Sequence, residues 1–188
     1  MKCSAFIATS ADGYIATSDG GIDWLQQSGR QDADMSANPD MGFEAFVASV
    51  DCMIMGRKCM ETLSSFNLAP EQWPYGNIKI YVLSRSLTAV PDNVCDKVEL
   101  YSGDLFTLIN RLESEGYDHA YIDGGTTVTS FLNHQLIDEI TITQVPILLG
   151  CGIPLFGEIH PPVMLEKACA TVFPNDFIQI KYTVNYSA

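Results

Sequence analysis

Three short segments of this sequence carry the ingredients of a phosphate-binding surface. In Met55-Gly56-Arg57-Lys58-Cys59 an apolar run ends, a glycine permits close backbone approach, and two bases open a helical pattern. Positive side chains in a first helical turn oppose the helix dipole, so they are well placed there only if an anion docks beside them. An ordinary strand-to-helix turn with solvated bases explains the same residues. In Leu83-Ser84-Arg85-Ser86 the Arg85 fork can hold a phosphate bidentately, with Ser84 and Ser86 as further donors. A surface arginine at a strand end is the plainer explanation. In Asp123-Gly124-Gly125-Thr126-Thr127 two glycines join an apolar run to a helical pattern, an arrangement suited to a pyrophosphate. The G-x-G-x-x-G fingerprint is absent, and a tight turn with φ > 0 accounts for a lone glycine pair.

These segments meet only if one sheet edge brings them together. Short apolar runs at Cys3–Ala8, Cys52–Met55, Ile78–Leu83 and His119–Asp123 read as strands. Between them lie helical patterns. Leu105, Leu108, Ile109 and Leu112 recur at i, i+3, i+4, i+7 before the stop at Gly116, and Phe43, Phe46, Val47 and Val50 do the same before Cys52. Val128–Leu132 follows the glycine pair as a further helix. Strands alternating with helices predict βαβ units and a parallel sheet. The last third differs. Glu139–Val145 is β-branched and alternating, and Leu165–Phe173 and Phe177–Tyr186 flank the turn signal Pro174-Asn175-Asp176. Ile178, Ile180, Tyr182, Val184 and Tyr186 share one face of the final strand, as in an antiparallel hairpin with a solvated side. The expectation is one α/β domain over residues 1–188, with a mixed, mostly parallel sheet and a C-terminal antiparallel hairpin. Ligands of open α/β sheets bind at the carboxyl ends of the parallel strands, where all three loops fall. The polar stretch Ile22–Asp40 reads as a long loop with a short helix near Trp24. Loops of that length are often functional, and a surface insertion explains it equally well.

Composition narrows the partners. The 188 residues carry a formal charge of −13 with only ten lysines and arginines, which disfavours nucleic acid. Any phosphate site must then be built locally, and three of the scarce bases (Arg57, Lys58 and Arg85) lie in the loops named above. No apolar run reaches the ~20 residues a membrane span needs, and the N-terminal segment reads as a first strand, not an export signal. Six scattered cysteines without a C-x-x-C pair suit a reducing compartment, so a cytoplasmic protein is expected. His119, His134 and His160 show no metal spacing, and no metal is expected.

Taken in order, Gly56-Arg57-Lys58, Leu83-Ser84-Arg85 and Gly124-Gly125 resemble the three-layer dihydrofolate-reductase-like fold. The likeness is closer to the reductase domain at the C-terminus of bifunctional riboflavin-biosynthesis proteins, which acts on 5-amino-6-(5-phosphoribosylamino)uracil. Ser10-Ala11-Asp12-Gly13 is similar to that branch's Ser-Leu-Asp-Gly segment, and Asp138-Glu139 and Pro146–Phe156 to its late strand and following loop. The resemblance spans nearly the whole chain. It implies NADPH as hydride donor, with Arg57 and Lys58 near phosphate, Ser84 and Arg85 at the adenosine 2′-phosphate, and Gly124 to Thr127 at the pyrophosphate. It also implies a homodimer. The apolar final hairpin and the Pro146–Phe156 segment are the candidate two-fold interface, and packing within one chain is the alternative.

The chain departs from that branch on the substrate side. Phe6 stands where the branch usually has a lysine. Leu63–Pro74 contains no base where the branch has Asp-Asn-Pro followed by an arginine that helps hold a ribose phosphate. Asp123 replaces the glutamate of Glu-Gly-Gly, and Cys59 replaces a threonine. Hydride transfer needs a proton donor and a placed substrate. Asp12 follows the first strand, though a turn residue in Asp12-Gly13 would look the same. Counting back from Gly56 without gaps, Asp40 falls where dihydrofolate reductases keep their pterin-binding acid. Glu44, one turn on, is an equal rival, and a helix-start role explains Asp40 as well. Tyr14 and Trp24 can stack on a flat substrate or simply be buried. The readings are therefore an NADPH-dependent reductase of a small planar C=N or C=O compound, a dihydrofolate reductase, or a non-catalytic nucleotide-binding dimer.

Overall fold

The computed structural model describes residues 1–187. In chain order the elements are β1 (Lys2–Ser10), β2 (Tyr14–Ala16), α1 (Trp24–Gln27), α2 (Phe43–Val47), β3 (Cys52–Gly56), α3 (Arg57–Ser65), β4 (Lys79–Leu83) and β5 (Val98–Tyr101). After them come α4 (Leu105–Ser114), β6 (His119–Asp123), α5 (Gly125–Asn133), β7 (Glu139–Val145), β8 (Ile153–Pro154), β9 (Met164–Val172) and β10 (Ile178–Asn185). The helices and strands expected from periodicity are present. Sequence reading missed β2, β5 and β8, which have three, four and two residues. Segments that short leave no measurable period. The loop around Trp24 does carry a single helical turn, α1.

Eight strands form one sheet in the order β5-β4-β3-β6-β1-β7-β10-β9, while β2 and β8 make a separate pair. The pairings β5–β4, β4–β3, β3–β6, β6–β1 and β1–β7 are parallel. β10 runs antiparallel to both β7 and β9. The mixed sheet with its antiparallel end is thus as the residue patterns imply.

Alternation within the central strands assigns side chains to two buried faces. Cys3, Ala5 and Ile7, Cys52 and Ile54, and Ala120 and Ile122 point to the face covered by α4 and α5, through Leu108, Leu112, Val128 and Phe131. Met53 and Met55, Ile80 and Val82, and Tyr121 point to the face covered by α2 and α3, through Phe43, Phe46, Met60 and Leu63. Three layers result because the central strands bury side chains at odd and even positions alike. Phe131 is fully buried, and its truncation to alanine would cost about 3–5 kcal/mol. A smaller cluster of Trp24, Val145, Phe173 and Phe177 pins the long N-terminal loop to the antiparallel end. All six cysteines are free thiols. Among the described residues, no helix is long and apolar enough to cross a membrane.

Candidate active site

The chain leaves β3 through α3 towards β4, and leaves β6 through α5 past β1 towards β7. These connections run in opposite directions along the sheet and on opposite faces. The carboxyl ends of β3 and β6 therefore flank a crevice, the place where open α/β sheets take ligands. A cavity of about 1030 Å³ opens there. The two helix starts abut across it. A Cβ on Gly56 would lie 3.1 Å from Thr127 Oγ1, and one on Gly124, whose φ is +90°, would collide with Cys59 Sγ. Gly125 has no room for a Cβ either, which would sit 2.6 Å from the Pro154 carbonyl oxygen. The glycine pair is thus required by local packing as well as by any ligand.

Both helix starts are available to an anion. Gly56 and Gly124 occupy the cap positions of α3 and α5, and neither helix has a side-chain cap on its first-turn N–H groups. Gly56, Arg57, Lys58, Ser84, Arg85 and Gly124 to Thr127 all line the cavity. Arg57 differs from the other two bases. Its guanidinium donates to Glu61 Oε1 at 3.0 Å, one turn along α3, whereas Lys58 and Arg85 make no ion pair among the described residues. Ser84 Oγ accepts the N–H groups of Ser86 (3.3 Å) and Leu87 (3.0 Å), closing the turn that presents Arg85. Ser86 itself falls outside the cavity lining, because that turn points it to solvent. The end of β5 adds Tyr101 to Leu105 to the wall.

Several candidates from the sequence are placed elsewhere. Asp12 does not line the cavity. It accepts hydrogen bonds from Ser10 Oγ (2.6 Å), the Leu149 N–H (3.1 Å) and the Gly150 N–H (2.7 Å), and so ties the loop after β1 to the loop after β7. The Ser10 hydroxyl and those two N–H groups hold its carboxyl below the usual range. Tyr14 lies in the β2–β8 pair, its Cβ 3.2 Å from where a Cβ on Gly152 would be, and Trp24 belongs to the loop-pinning cluster. Neither lines the cavity. Glu44 is exposed and outside the lining. Asp40 does face the cavity, but its carboxylate receives the N–H groups of Glu44 (2.5 Å) and Gly42 (3.1 Å) at the start of α2. The Glu44 N–H is the larger influence holding its pKa down.

The acid that sequence reasoning missed is Asp123, at the end of β6 and the floor of the cavity. Burial raises its carboxyl to about 6, against the opposing hydrogen bonds of the Gly124 N–H and the Tyr121 hydroxyl. Tyr121 donates to the Phe6 carbonyl at 2.9 Å and lies 3.4 Å from Asp123 Oδ1. Burial pushes the neighbouring Cys59 thiol up to about 12, so it stays protonated. The available signal was a carboxylate on the last residue of a central strand, immediately before the glycine pair. Apart from Asp104 on the β5 wall, the cleft thus contains two carboxylates with opposite tendencies. Asp40 is kept ionised, and Asp123 is poised to carry a proton near neutrality.

A model of the RibD C-terminal domain family matches residues 2–179. The Bacillus subtilis (strain 168) protein YwjB, itself uncharacterized, is 35% identical over 160 residues, 84% of each chain. A Shewanella sp. PV-4 protein with a riboflavin-biosynthesis designation superposes with a TM-score of 0.88. It is 39% identical, with coverage of 98% of this chain and 99% of that one. Dihydrofolate reductase from Enterococcus faecalis, solved with NADP(H), superposes with a TM-score of 0.62 at 14% identity, covering 98% of this chain and 96% of that one. That last likeness shows a shared dihydrofolate-reductase-like fold.

Proposed function

Because this chain belongs to the RibD C-terminal domain family, we propose that it is an NADPH-dependent reductase of a small planar C=N or C=O compound, with Asp123 as proton donor. The donor set suits such a cofactor. Uncapped starts of α3 and α5 can receive the pyrophosphate, and Arg85 with Ser84 can take the 2′-phosphate that separates NADPH from NADH. Arg85 follows β4, three strand spacings from β1, or roughly 14 Å across the sheet edge. A dinucleotide held at Arg85 and at the glycine pair extends towards β1 and Asp123. When bound, the cofactor supplies a hydride to the electrophilic carbon, and one proton must then reach the substrate nitrogen or oxygen.

Asp123 is the observation that carries this reading. Its raised pKa leaves roughly a tenth of the carboxyl protonated at pH 7, a usable reservoir for general acid catalysis. Asp40, held ionised, suits anchoring a substrate N–H. The exposed apolar residues Leu148, Met164 and Val172 further support pairing of two copies through the β9–β10 hairpin and the loop after β7. NADPH should raise the Tm distinctly more than NADH at equal concentration. Equal shifts, or none, would sink the cofactor assignment. Cofactor binding with no turnover across a broad panel of cyclic imines and carbonyl compounds would leave a binding protein instead.

A further inference from the structure

Past Asp123 the cavity turns apolar. β1 contributes Phe6, the segment into α2 contributes Met41 and Phe43, and α3 contributes Thr62 and, at its end, Phe66. The lysine and arginine side chains lining the cavity are Arg57, Lys58 and Arg85, and all three follow β3 or β4. On the far side the charged groups are the carboxylates Asp40 and Asp123. A phosphate or carboxylate placed beside these two would lose hydration and face like charge, and the base nearest along α3, Lys58, stands one helical turn before Thr62, at the end proposed for the cofactor.

Phe66 points the same way. It is 48% exposed at the rim of the cavity, within a stretch from Leu63 to Pro74 that contains no lysine or arginine. An exposed aromatic at a cavity mouth is favourable to cover with another apolar group and offers nothing to a phosphate. Phe6 is held in this wall by stacking on Phe46, with ring centroids 4.9 Å apart, and by a tilted contact with Phe43 at 5.7 Å. The apolar character is therefore built into the layer beneath and does not rest on one side chain.

We propose that the substrate is an uncharged planar nitrogen heterocycle with an apolar substituent and no phosphate, and that Phe66 selects it at the cavity mouth. The proposal rests on the reductase reading and concerns only the compartment beyond Asp123. Titration calorimetry on NADP⁺-saturated protein can compare three probes with one ring: 5-amino-6-(ribosylamino)uracil, its 5′-phosphate, and 5-amino-6-(benzylamino)uracil. The benzyl compound is expected to bind at least about tenfold more tightly than the phosphate. Phe66→Arg, and independently Thr62→Arg, should narrow or reverse that ratio while leaving the NADPH thermal shift in place. Tightest binding of the phosphate, or binding of no probe to protein that NADPH does stabilise, overturns the proposal. So does an unchanged ranking in both variants. If NADPH gives no stabilisation, the reductase reading fails separately, and the same titrations on cofactor-free protein still rank the probes.

Discussion

At the β4–β3 end of the cleft a ligand meets three cations, two uncapped helix starts and hydroxyls from Ser84 and Thr126. At the β1–α2 end it meets Phe6, Met41, Phe43 and Phe66 around two carboxylates. The first end is assembled from contiguous loops, each following one strand, and recognises charge largely through backbone geometry. The second is assembled from single side chains contributed by distant segments, and recognises shape and a few hydrogen bonds. On the proposed function, one end would hold the cofactor and the other the substrate, and the two share little beyond the Asp123–Gly124 junction.

Substitution at that junction should have the largest effect. Asp123→Asn is expected to lower kcat/KM by about 10²–10⁴-fold while NADPH still protects against unfolding. If turnover survives, the proton comes from elsewhere and the contrast between the two ends loses its chemical meaning. The pH dependence carries a sign. The folded carboxyl titrates at about 6, above its usual 3.8, so the folded state holds the extra proton between those values. Its contribution to stability is fully present below pH 3.8 and is lost as pH rises through about 6. Wild-type kcat should fall over the upper part of the same window. Asp123→Asn should be more stable than wild type at pH 8, by about 1–3 kcal/mol, and show no gain near pH 3.5. Chemical denaturation at the two pH values measures this.

At the other end, Arg85→Ala should weaken NADPH by about 10- to 100-fold and leave NADH nearly unchanged, read by titration of each nucleotide. Equal losses for both would mean that Arg85 contacts a part the two cofactors share. Gly125→Ala tests the packing between the ends. Its Cβ would press on the backbone oxygens of Pro154 and Leu155, at 2.6 and 2.8 Å, and should lower stability by about 1–3 kcal/mol by denaturant titration. The smallest effect is expected at Asp12. Asp12→Asn weakens the tie to Leu149 and Gly150, so the Tm should fall slightly while kcat/KM stays within about threefold of wild type. A large catalytic loss there would return Asp12 to the reaction.

Sequence by itself determined the layered sheet, the order in which its helices and strands follow one another, and the three loops that meet at its edge. The reason is periodicity. β3 is apolar on both faces, and β10 on one, so their places in the sheet follow from side-chain alternation. The loops were legible because glycine, serine and arginine act on phosphate through local backbone and short side chains. What only the tertiary structure decided was the surroundings of each acid. Asp12, Asp40, Glu44 and Asp123 are equivalent carboxylates in one dimension. Folding turns Asp12 into a tie between loops and Asp40 into a helix-start acceptor. It leaves Glu44 in solvent and sets Asp123 half-buried beside Tyr121 and Cys59, where desolvation raises its pKa. Desolvation depends on everything that surrounds a group, and no stretch of chain around Asp123 contains its neighbours Cys59 and Tyr75.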